Sequence, residues 1–111
     1  MNREPWYAVK CIFLHNDLKY RNGKNNFEER ILLVKAISFE DAIEKAEKEA
    51  LEYCEDLNDV EYLNFCNAYH IAESKIMDLT EIYSLITTSN LDKNEYIKRY
   101  YDTGGELTQK I

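Results

Sequence analysis

The chain reads as an α+β protein of order ββαββα, a four-stranded antiparallel sheet with two helices on one face, and three observations predict this. Two runs of aromatic and β-branched residues flank a polar turn near the N-terminus. A long segment follows with apolar residues at helical spacing. Strand-like runs and a capped helical stripe then recur in the second half.

The first strand is expected over Trp6 to His15 (WYAVKCIFLH), which is rich in strand formers and lacks a helical period. Asn16 to Asn26, with Asp17, Asn22, Gly23, Asn25 and Asn26, reads as a turn. Phe27 to Ile37 is the second strand, expected to close an antiparallel hairpin. Ser38-Phe39-Glu40-Asp41 then predicts a helix start, because the Ser38 hydroxyl can accept a first-turn N–H and early acids suit the dipole. Phe39, Ala42, Ile43, Ala46, Ala50, Tyr53, Cys54 and Leu57 form one stripe, so the helix should run over about 39–56. Its other face carries Asp41 with Lys45 and Glu44 with Lys48, each i,i+4 pair supporting the helix by about 0.3 kcal/mol.

In the second half, Tyr62 to Ala72 alternates, and the expected inward set is Leu63, Phe65, Tyr69 and Ile71. Glu81 to Thr87 is expected as a fourth, shorter strand. Asp92 and Glu95 have the spacing of a capping box, followed by the stripe Tyr96, Ile97, Tyr100, Tyr101 and a terminator at Gly104-Gly105. The two halves share little beyond Ser38/Asp41 and Ser89/Asp92, so duplication is not established by the residues. The first hairpin is apolar on both faces, Tyr7, Val9, Cys11 and Phe13 against Trp6, Ala8, Ile12 and Leu14, whereas a sheet with one wet face alternates. Its second face is therefore expected to be covered, by a second subunit, a partner, the tail or the chain's own interior.

With 111 residues, 45% hydrophobic and 32% charged, the chain suits a single globular domain, 1–111, ordered over about 6–102 with a flexible tail at 103–111. Cys11, Cys54 and Cys66 are odd in number and contain no CxxC pair, which argues for a reducing compartment. The apolar runs are too short to span a membrane, and Met1 to Pro5 leads into a strand containing Lys10, so a cytoplasmic location is expected. Charge is concentrated: residues 38–61 hold 10 Asp/Glu against 2 Lys/Arg, while residues 1–37 hold 4 against 7. A protein of net charge −7 is repelled by nucleic acid and anionic membranes, so neither is an expected partner.

The opening Trp6-Tyr7-Ala8-Val9-Lys10, the run Glu29 to Ala36 leading into Ser38-Phe39-Glu40-Asp41-Ala42 and Lys45-Ala46, the stretch Thr80 to Ser84, and Tyr96 to Tyr100 together resemble the small bacterial domain-of-unknown-function family numbered 4288. The junction VKAxSFEDA is the most specific part. The resemblance covers about residues 6 to 102 and implies a bacterial, single-domain α+β protein; it supplies no catalytic residue. One departure is Leu79, which stands where the family pattern implies a Gly, so a different turn is expected there.

Chemistry-bearing motifs are sparse. No phosphate-binding glycine motif is present, and Gly104-Gly105 follows a helix instead of opening one. Cys66 and His70 lie four apart on an expected strand, about 13 Å, too far for one zinc ion. Cys11 with His15, or Cys66 with His70, supply the residue types of a hydrolase without a recognised signature. Nine Tyr and one Trp lack the basic stripe that base stacking requires, and suit core edges or an interface. No cofactor, metal or catalytic residue is expected. The acidic helix is the leading site: Glu44, Glu47, Glu52, Glu55, Asp56 and Asp59, with Trp6, would steer and dock a basic protein. The expected function is a non-enzymatic protein-binding module, of the immunity or antitoxin type, neutralising a basic toxin domain. The alternative is a structural or regulatory homodimer joined through the first hairpin.

Overall fold

The computed structural model describes residues 4–16, 25–71 and 75–101. Along them run β1 (Trp6–His15), β2 (Asn26–Lys35), α1 (Phe39–Asp56), β3 (Val60–His70) and α2 (Lys93–Tyr100). β1 is the central strand of an antiparallel sheet ordered β2-β1-β3, with Trp6 opposite Lys35 on one side and Tyr7 opposite His70 on the other. Because successive side chains alternate faces, Tyr7, Val9, Cys11 and Phe13 all point to one layer. That layer is the core, closed by Ala36 and Tyr62 and by Ala42, Ala46 and Ala50 of α1. Alanine at every fourth position lets the helix backbone lie close to the sheet. Phe13, fully buried between the rings of Tyr53 and Tyr62 at 5.1 and 5.5 Å, is the centre of this packing.

The helix begins where its sequence says it should. Ser38 Oγ accepts from Asp41 N–H at 3.1 Å while Asp41 Oδ2 accepts from Ile37 N–H at 3.1 Å, so two otherwise orphaned donors are satisfied. Lys45 meets Asp41 at 3.6 Å as expected, and also donates to the Lys35 carbonyl at 2.8 Å. The expected Glu44–Lys48 pair does not close: among the described residues neither side chain has an ionic partner.

The second half differs from expectation in four ways. The sheet has three strands, not four, and the order is ββαβα: Glu81 to Thr87 runs without ladder partners. A run that alternates in sequence needs a neighbouring strand to become one, and this run lays Tyr83 over Tyr69 and Lys10 instead of pairing with an edge. The two helices do not share one face of the sheet, for α1 alone packs extensively against the strands, and no residue of α2 is buried. Finally, β3 is turned over relative to its expected face. Tyr62, Cys66 and Ala68 meet the core, while Leu63 is half-buried and Phe65 exposed; only Ile71 of the expected inward set is fully buried. The register with β1 sets Tyr62 opposite Phe13 and Cys66 opposite Cys11, so the even-numbered residues of β3 take the core face; a bulge opposite Ile12, where Leu63, Asn64 and Phe65 oppose one β1 residue and Asn64 takes φ 59, adds two residues and so leaves that face unchanged. Asn tolerates that backbone, as does Asp59 at φ 65 in the turn that ends α1.

The turn at Met77 to Thr80 closes with Thr80 N–H donating to the Met77 carbonyl at 3.1 Å, and Leu79, its third residue, has φ 66. A positive φ at that position alone is the type II geometry that favours glycine. The turn therefore keeps a glycine-type backbone with leucine in it. Of the expected α2 capping box, Asp92 Oδ1 accepts from Glu95 N–H at 2.9 Å, and Glu95 does not return the bond. Most of the Asn16–Asn26 turn, Ala72, Gly104-Gly105 and the tail lie outside the described residues.

Candidate protein-docking surface

Two surfaces flank the core. On the helix side, the even residues of β2 reach α1 through one polar network. The Arg30 guanidinium grips both Glu49 oxygens, at 2.8 and 3.3 Å, and lies 3.7 Å over the Tyr53 ring. Glu28 Oε1 accepts from the Tyr53 hydroxyl at 2.8 Å and lies 2.8 Å from His15 Nε2. Burial and the Glu28 bond push the Tyr53 hydroxyl up to about 12. Arg30 spends its donors on Glu49, and Glu28 accepts from Tyr53 beside His15, so the contacts clamp α1 to the sheet. Sequence reading missed them, although Glu28 and Arg30 at i,i+2 on a strand share a face and could have signalled them.

The acids named from sequence do not behave alike. Glu47 accepts from the Tyr62 hydroxyl at 2.7 Å and belongs to the packing. Glu44, Glu52, Glu55, Asp56 and Asp59 are exposed, and among the described residues none has an ion-pair partner. Glu55 and Asp56 sit in the last turn of α1, which contains no basic residue. Carboxylates there face the negative end of the helix dipole, a local cost of about 0.3–1 kcal/mol each. Trp6 is elsewhere: it lies on the opposite face of the sheet, with Lys35 Nζ 5.0 Å from its ring centroid. Glu52, Glu55, Asp56 and Asp59 lie in the second half of α1 and the turn that ends it, Glu44 lies nearer the helix start, and Trp6 is apart from them all.

The outer face of the sheet is covered in part by the chain itself. Tyr83 packs on Tyr69 and takes Lys10 Nζ at 4.8 Å over its ring, and Ala8 on this face is fully buried. The cover stops short of β2, where Phe27, Ile31 and Leu33 remain 62%, 45% and 47% exposed.

Beyond Tyr83, Leu85, Ile86, Thr87, Tyr96, Ile97 and Tyr101 line an open cleft of about 630 Å³. Within it the Thr87 and Tyr96 hydroxyls share a 2.7 Å bond. Among the described residues no cluster of three His, Cys, Asp or Glu side chains could hold a metal ion. Cys11 and Cys66 face each other across β1 and β3, and burial, reinforced by that neighbour, pushes the Cys11 thiol up to about 11. Such thiols are protonated at neutral pH and poor nucleophiles. No helix among the described residues is long and apolar enough to cross a membrane.

No curated protein and no solved structure matches the chain. A family described as a domain of unknown function matches residues 6–84, a span containing all three strands, α1 with its capped start, the turn at Leu79 and the Tyr83 cover. The strand-to-helix junction that carried the resemblance is thus part of a match over most of the chain, and the chain belongs to the DUF4288 family.

Proposed function

We propose that this protein is a non-enzymatic protein-binding module of the bacterial cytoplasm, of the immunity or antitoxin type, whose acidic α1 covers the cationic surface of a basic toxin domain. The observation that carries this reading is the group of exposed carboxylates Glu44, Glu52, Glu55, Asp56 and Asp59 on and just beyond α1, without an ionic partner among the described residues and kept in part against the helix dipole. Charges held at a local cost to the fold are what a docking surface retains. A field of one sign raises the encounter rate with an oppositely charged partner.

The test is affinity capture from the native host with the tagged full chain, at low salt and with a high-salt wash. A basic partner is expected at one-to-one stoichiometry, released by salt and absent with the Glu52→Lys/Asp56→Lys variant. An unaltered association rate between about 50 and about 500 mM salt would sink the reading, since exposed charges are screened within a few Å at the upper value. A second reading, a structural or regulatory homodimer joined through the first hairpin, is favoured by a separate observation, the exposed Phe27, Ile31 and Leu33 on β2.

A further inference from the structure

We infer that the free edge of β2 docks a second copy of this chain, antiparallel, about a two-fold axis at Leu32. The inference rests on the homodimer reading and supplies its surface and register; it is independent of the acidic helix. Among the described residues β2 is an edge strand, paired only to β1. Ala36 N–H donates to the Pro5 carbonyl at 3.1 Å, which fixes the alternation of the ladder. Even residues of β2 turn their amides toward β1. The amides of Phe27, Glu29, Ile31, Leu33 and Lys35 therefore face away from the sheet. Among the described residues only Lys45 Nζ, on the Lys35 carbonyl, reaches any of them, and a carbonyl has a second lone pair to offer.

A ten-residue edge with no Pro, Gly or bulge is a template for another strand, and proteins that need a bare edge normally interrupt it. The charges on β2 could serve as that interruption, so their placement decides the matter. Pairing requires outward amides opposite outward amides, so odd residues must oppose odd residues. An axis at Ile31 would set Glu29 against the partner's Leu33, and an axis at Leu33 would set Ile31 against the partner's Lys35. An axis at Arg30 would put two guanidinium groups together. The axis at Leu32 alone sets like with like: Ile31 faces the partner's Leu33, and Glu29 faces the partner's Lys35, each twice by symmetry. In that register each of these pairs exchanges both N–H···O=C bonds and the outer-face side chains meet directly. The helix leaves room, because α1 packs most on β3 and least on β2. The result would be one six-stranded sheet with both acidic helices on the same side.

Sedimentation velocity of the full chain over a concentration series tests this, with three variants. The wild type is expected as a reversible dimer. Ile31→Pro removes an N–H that the protomer does not use and is tolerated on an edge; it should leave a folded monomer. Lys35→Glu, which leaves the protomer's own Lys10–Glu29 pair at 3.8 Å in place, should weaken the dimer about tenfold or more, since each of two symmetric attractions becomes a repulsion, and Glu29→Lys/Lys35→Glu should restore it to within about threefold. A monomer at every concentration would overturn the homodimer reading and the edge with it. A dimer indifferent to Ile31→Pro, or not rescued by the charge swap, would overturn the edge register and leave the homodimer reading standing.

Discussion

Leu79 holds a left-handed backbone that leucine disfavours by about 1–2 kcal/mol, and its side chain is 94% exposed, so nothing packs to repay the strain. Leu79→Gly should stabilise the protein by about 0.5–1 kcal/mol, after the extra freedom glycine gives the unfolded chain. Urea unfolding of the two proteins checks this, and equal midpoints would show that the turn carries no strain. The buried acids of the core make a pH prediction. Burial raises the Cys11 thiol from 9.0 to about 11, and burial with the Glu28 bond raises Tyr53 from 10.0 to about 12; Tyr62, buried and bonded to Glu47, moves in the same direction. Groups raised in the folded state favour folding below their unfolded values and lose that contribution as pH climbs to their folded ones. Stability should therefore be level with respect to these groups through neutral pH and fall from about pH 9 toward about pH 12. A denaturation series at alkaline pH reads it, and Cys11→Ala should blunt the first part of the fall.

α1 is well determined at its start and unfavourable at its end. The Ser38–Asp41 exchange and the acids Glu40 and Asp41 support the first turn, whereas Glu55 and Asp56 oppose the dipole in the last. Glu55→Lys and Asp56→Lys should each stabilise the fold by about 0.5 kcal/mol while weakening capture of a basic partner. Opposite signs for stability and binding would separate a docking surface from a merely solvated face; a variant that keeps its partner would assign these acids to solubility. On the strand side, Arg30 ties β2 to α1 by a bidentate pair and a ring stack, so the edge strand is held rigid by contacts on the face away from solvent.

The whole molecule is uneven in how firmly it is built. Packing is concentrated in β1, its two neighbours and α1, while α2 buries no residue and Leu79, Leu85 and Ile86 stand exposed. The Cα radius of gyration is 16.4 Å, where a compact chain of this length has about 13 Å. Native-state amide exchange should show the slowest amides in β1 and the core-facing turns of α1, and in α2 exchange close to that of an unprotected helix. Uniform protection across α2 and β1 would mean that the segment after Tyr83 is held by contacts beyond those of a single protomer.

What could be read from residues alone follows from how local each signal is. β1 and α1 were legible to the residue, because a dense strand former run and a capped helical stripe declare themselves over a few neighbours. The acidity of α1 was legible for the same reason, as was the family resemblance at the strand-to-helix junction. The face of β3, the missing fourth strand and the partners of Glu28, Glu47 and Glu49 were not. Alternation in Tyr62 to Ala72 names two faces without saying which is inner, and the register of β3 on β1, Cys66 opposite Cys11 and Tyr62 opposite Phe13, chose the one that puts Tyr62 against Phe13. Residues 81–87 have the composition of a strand but pair with neither edge, and Tyr83 lies instead against Tyr69 on the outer face. Composition and period were enough for β1, α1 and the charge; pairing, which joins residues far apart in the chain, decided the sheet, the part-buried carboxylate contacts and the edge left open on β2.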